Sequence, residues 1–167
     1  MIVVTLSISK LYQYHIWANS RLILHLATLP ETALYTEVSN VFPNILQTLG
    51  HIYSVDQTWL ARIHGQHIER IVPIVHDSLE QVQNCFSCLG DEIMSVLQTY
   101  GDHDGKVIHY QNTKGDVFTN TLSEIIQHIV NHGTYHRGNV TSMLHQLGFT
   151  GVPTDYIVYL RAGRTIV

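Results

Sequence analysis

His128, His132 and His136 recur at i, i+4 and i+8 within His128-Ile-Val-Asn-His132-Gly-Thr-Tyr-His136-Arg137-Gly138-Asn139. On an α-helix that interval stacks side chains on one face, each a turn above the last. The stripe they join reads Ile125, Ile129, His132, His136, Asn139, Met143 and Leu147. His132 and His136 therefore occupy positions where the period calls for apolar residues. Leu122, Ile126, Val140 and Leu144 make one flank of the stripe apolar, and His128 and Asn139 mark the other. Polar groups on the buried side of a helix are costly unless satisfied. Hydrogen bonds between core histidines are one solution. A metal ion is the other, because two imidazoles one turn apart can hold a single ion. Two histidines on one seam, with a third beside it, favour the ion.

The rest of the chain supplies helices for this one to pack against. Ile8, Leu11, Leu22, Leu26 and Leu29 are helical in period, with His15, Ala18 and Asn19 on or beside the stripe. Pro30 stops that helix. Glu31 to Asn40 is expected as a loop. Pro43 is expected in the first turn of a second helix. Its seam is Ile45, Leu49, Ile52, Asp56, Trp59 and Ile63, and Gly65 ends it. Ser78 and Gln81 form a capping box for a third helix with the stripe Leu79, Val82, Phe86, Leu89, Ile93, Val96 and Tyr100, ended by Gly101. Residues 106–111 and 116–119 flank Asn112-Thr-Lys-Gly115 as a small β-hairpin. Thr121 and Glu124 form a second capping box, opening the histidine helix, which closes at Gly148. Asp155 to Leu160 is apolar enough to pack as a short terminal helix. The economical architecture is all-α: a four-helix bundle with a small hairpin between its third and fourth helices, residues 1–167 forming one domain.

Composition narrows the partners. Of 167 residues, 45% are hydrophobic and 13% charged, which favours a well-buried globule. The net charge is −4 with no basic block, so nucleic acid has nothing to bind to. No apolar run approaches the ~20 residues that span a bilayer, and the first ten residues lack the form of a secretory leader. Two cysteines cannot build a disulfide framework. A cytoplasmic protein, free of membrane, is expected.

The stripe provides two metal ligands, and a third must come from elsewhere: His51, His15 and His128 are the candidates. His51 lies about 120° off the centre of its own seam, which counts mildly against it. Three protein ligands would leave a position for water or substrate, the catalytic arrangement for zinc. Residue 133 is glycine, so the stretch is not H-E-x-x-H and lacks that motif's general base. The seams are nearly free of glutamate, which argues against a di-iron bundle. Asp56 stands on a buried seam and needs a partner. Arg137 is favoured for it, although that guanidinium could instead hold an anion near the metal. Trp59 and Tyr135 read as pocket lining or as core. Cys85-Phe-Ser-Cys88 lies mid-helix, where no helix dipole lowers a thiol pKa, and reads as two ordinary cysteines. His64, His67, His76, His103, His109 and His145 share no spacing and receive no role.

Three segments together resemble the DinB/YfiT-like metalloprotein family. They are Trp17-Ala-Asn-Ser-Arg-Leu22, His51-Ile-Tyr-Ser-Val-Asp56-Gln-Thr-Trp59-Leu, and His132-Gly-Thr-Tyr-His136-Arg-Gly-Asn139. The resemblance implies a four-helix bundle, often a homodimer. It implies a divalent metal ion, zinc or nickel among others, on one histidine of the second helix and the two of H-x-x-x-H-R. That selects His51 with His132 and His136. Asn139 departs from the glutamine usual after H-R-G in the family. The resemblance implies no single reaction: relatives transfer low-molecular-weight thiols, or isomerise or hydrolyse small molecules.

The expected function is a metal-dependent enzyme whose ion activates a thiol or water, as a thiol S-transferase or a hydrolase, acting on a small-molecule substrate. The alternative is a non-catalytic, stress-associated protein whose ion staples two helices. His15, Asn19, Asp56, Trp59, His128, Arg137 and Asn139 are expected around the metal or the substrate; no general base stands out.

Overall fold

Each long helix begins where a side chain can satisfy its free backbone N–H groups. In the computed structural model, which describes residues 7–101 and 105–163, Ser7, Asn44, Ser78 and Thr121 cap the four long helices. These are α1 (Ile8–Leu26), α3 (Ile45–Ile63), α4 (Leu79–Tyr100) and α5 (Leu122–Gln146). The Thr121–Glu124 capping box is complete, with both reciprocal bonds present. At the other ends Gly65 and Gly148 take φ of 77° and 83°. After α5 the Gly148 N–H bonds to the His145 carbonyl and the Phe149 N–H to that of Leu144, the paired closure only a left-handed residue permits. Residues 1–6 and His103 lie outside the described residues.

Three boundaries differ from expectation. The first helix ends at Leu26, not Leu29: the Thr28 and Leu29 N–H groups bond three residues back, tightening the chain before Pro30. The segment expected as a loop from Glu31 contains a short helix, α2 (Thr32–Tyr35), which buries Ala33 and Leu34. Pro43 precedes the cap Asn44 and so lies outside the second long helix. The hairpin is present as β1 (Val107–Gln111) and β2 (Val117–Thr121), antiparallel, with Ile108 opposite Asn120. The terminal helix is α6 (Tyr156–Ala162). No helix among the described residues is long and apolar enough to cross a membrane.

In the bundle, α1 and α3 each pack between α4 and α5. The core is divided in two. One apolar cluster holds Leu60, Ile93, Leu97, Leu122 and Ile129; the other holds Leu22, Ile45, Leu49, Ile52 and Met143. Along α3 they meet between Ile52 and Leu60, and along α5 between Val130 and Val140. Most residues at the junction are polar, and with His51 they make the site.

Candidate metal centre

His51 projects from α3 toward His132 and His136 on α5. One ring nitrogen from each lies within 4.8 Å of the other two, the group among the described residues that could hold a metal ion. The Nε2 atoms of His51 and His132 are 3.1 Å apart. Two nitrogens at tetrahedral corners around zinc would be about 3.3 Å apart. The ring centres are 5.0, 4.6 and 4.5 Å apart for the three pairs. His132 Nδ1 is buried without a partner.

Burial and crowding keep these rings neutral. Desolvation, then repulsion from His136 and His51, pushes His132 down to about 3. Desolvation, then His51, pushes His136 down to about 4. Desolvation also lowers His51, opposed by the Asp56 carboxylate. Neutral imidazole is the form a metal needs, and three imidazoles suit zinc, copper, iron or nickel. The residues therefore fit a divalent ion.

Around the triad, the Asn139 amide lies 3.2 Å from His136 Nδ1. Ligation through His136 Nε2 puts the hydrogen on Nδ1, and the amide oxygen, interchangeable with its nitrogen by rotation, can accept it. Phe42, which no sequence period marks, covers the group, its ring 4.5 Å from that of His51 and 5.6 Å from that of His136. Its connection is tied down where the Asn40 amide donates to the Asn139 carbonyl at 3.4 Å. Tyr135 is exposed, with its ring 4.9 Å from that of His136.

His128 is not part of the three-residue group. Its ring is 6.0 Å from that of His132, and it packs edge-on against Trp59. Trp59 also meets Tyr110 of the hairpin and the Arg62 guanidinium, so it belongs to that corner of the core.

Behind the triad is a buried layer, and here the expected pairing changes. His15 Nε2, not Arg137, pairs with Asp56 Oδ2, at 2.9 Å. The cause is the stacking of His15 and Asn19 one turn apart on α1, which places both between the carboxylate and the guanidinium. Arg137 Nη1 donates to Asn19 Oδ1 at 2.8 Å and to His15 Nδ1 at 3.4 Å, and Nη2 donates to Thr134 Oγ1 at 2.9 Å. Arginine can only donate, so His15 Nδ1 accepts and Nε2 carries the hydrogen toward Asp56. The Asn19 amide nitrogen stands beside that Nε2, at 2.9 Å. Desolvation lowers Arg137 from its ordinary value, opposed by Tyr14 and Asp56. His15 is thus neither a metal ligand nor free; with Asn19 it also walls a cavity of about 140 Å³ between α1 and α4.

Gly133 is required by this packing. A Cβ there would lie 2.3 Å from His15 Cε1 and 2.9 Å from Arg137 Nη1. The glycine that rules out H-E-x-x-H is thus the one that admits the His15 ring. Gly133→Ala is expected to destabilise by about 2 kcal/mol. Overpacking of about 1–3 kcal/mol, with loss of the His15 bonds, outweighs the ~1 kcal/mol alanine gains in a helix. A lower urea midpoint at unchanged slope would show it.

Two other features stand apart. His76, given no role from spacing, is buried edge-on against Tyr53, with neither ring nitrogen partnered and its pKa lowered by burial. Cys85 and Cys88 are free thiols on α4, one half-buried beside the Tyr53 hydroxyl and one exposed.

Comparisons with known proteins bear on the family and the fold. The sequence profile described as "DinB family" matches residues 1–165. Protein DinB of Bacillus subtilis (strain 168) is 34% identical over 164 residues, covering 93% of this chain and 95% of that protein. The uncharacterized protein YizA of the same organism is 28% identical over 124 residues, 74% of each. In fold, the chain resembles the crystal structure of a DinB-like protein from Bacillus cereus ATCC 10987. The TM-score is 0.64 at 17% identity, over 85% of this chain and 91% of that one.

Proposed function

The chain belongs to the DinB family, and on that premise we propose that it is a metal-dependent enzyme with a divalent ion on His51, His132 and His136. The observation that carries this is the convergence of three neutral imidazoles from two helices on one point. Zinc and nickel are the ions proposed. Bound there, such an ion lowers the pKa of a thiol or a water and so supplies a nucleophile at neutral pH.

The chain's own residues do the rest. Asn139 orients His136. Phe42 and Tyr135 border the triad with aromatic surface and restrict its approach to small molecules. The proposed substrate is a small electrophile attacked by a low-molecular-weight thiol or by water. A homodimer is proposed with it. Three ligands leave a coordination position vacant for a reactant, which favours an enzyme over an ion that only staples helices.

Elemental analysis of tag-free protein, purified without added metal, tests the reading. About one divalent ion per chain is expected in the wild type and none in His132→Ala/His136→Ala. The bundle should survive chelation. A wild type that takes up neither zinc nor nickel would overturn the proposal.

A further inference from the structure

We propose that Asp56 positions His132 as a metal ligand by accepting a hydrogen bond from its Nδ1–H. This rests on the triad being a metal centre. His132 Nε2 faces His51 Nε2 at 3.1 Å, so that nitrogen meets the ion and Nδ1 points away. Ligation through Nε2 fixes the ring hydrogen on Nδ1. Nδ1 is then an unpartnered buried donor, which is costly unless an acceptor is at hand.

Among the described residues one buried side-chain oxygen lacks a partner, and it is Asp56 Oδ1. The two orphaned atoms are complementary, and His15 places them in one neighbourhood. Its Nε2 holds Asp56 Oδ2, while its Cε1 lies 2.3 Å from where a Cβ on Gly133, the residue after His132, would sit. Arg137 Nε is the other unpartnered donor in the layer. That guanidinium is already held by Asn19 and Thr134, whereas His132 Nδ1 has no partner of its own. His136 has Asn139 at its own Nδ1. Each α5 ligand would then have its own orienting partner. The carboxylate does more than the amide: it makes His132 a more basic ligand.

The test compares wild type, Asp56→Ala and Asp56→Asn loaded with cobalt(II). Affinity is read by competition with a chelator, and the paramagnetically shifted imidazole N–H protons by NMR. Asp56→Ala is expected to weaken cobalt binding about 10- to 100-fold and to expose the His132 N–H to rapid exchange with water. Asp56→Asn, which keeps the shape of the layer should Asp56→Ala unfold, is expected to fall between the two, with the N–H signal moved. Loss of stability alone would speed exchange but would leave the position of that signal in the folded protein unchanged. Cobalt uptake by the wild type, with affinity and signal unchanged in Asp56→Asn, would overturn this assignment and leave the metal centre standing. No uptake by the wild type would overturn both.

Discussion

Arg137→Met is expected to cost about 3–5 kcal/mol of stability, the typical loss when one partner of a buried charged network is removed. Methionine fills similar volume, so the loss is electrostatic. Asn19 Oδ1 and His15 Nδ1 would lose their donor, and Asp56 would keep a buried charge with less to offset it. Arg137 is 2% exposed, so water cannot replace these bonds without opening the bundle. Urea unfolding should show a much lower midpoint. Arg137→Lys should recover only part of the loss: a point-like ammonium keeps the charge, but it cannot serve Asn19, Thr134 and Tyr14 from two nitrogens at once. Wild-type stability in Arg137→Met would mean that the network is slack.

The second large effect is in pH. Unfolded histidine titrates near 6.5, whereas His132 and His136 are held at about 3 and about 4. Below pH ~6.5 the unfolded chain therefore takes up protons that the folded, metal-free chain refuses. Their neutrality is matched in the unfolded state above that pH. Stability falls as pH falls, until the folded values are reached. Each such histidine contributes at most about 1.4 kcal/mol per pH unit, and solvent near the half-buried His132 reduces this. Metal-free wild type is expected to lose about 1–2 kcal/mol from this pair between roughly pH 6.5 and 5. His132→Leu/His136→Leu should lose this component, because leucine suits the apolar period of the seam, and should take up no metal. Urea titrations across this range in chelator would decide. Parallel curves for the two proteins would mean that the rings are not held neutral.

Much of the fold was legible because its signals are local. Caps at Ser78 and Thr121, a left-handed glycine at 148 and the turn at Asn112–Gly115 each act within a few residues. The α5 seam was legible for the same reason, since a period needs only one helix. What the helical periods alone do not reveal depends on contacts between elements. His51 is off the centre of its seam; the family resemblance selects it, and the placing of α3 against α5 brings it to His132 and His136. The Asp56 partner went to His15 because α1 enters the core at that level. Phe42 lies in a connection, where no period marks an inward side chain. His76 is buried by packing of an irregular segment, for which spacing has no rule.

The division of the core has one more consequence. Leucines and isoleucines above and below the polar layer are nearly interchangeable, so apolar contact alone would tolerate α5 sliding along α1 by one turn. The bonds from Arg137 to Asn19 and the seat of the His15 ring on Gly133 exist at a single axial setting. The layer thus serves as an index pin. It selects one alignment of the helices from several of similar oiliness, and through the His15–Asp56 pair it extends to α3, which carries His51 to His132 and His136.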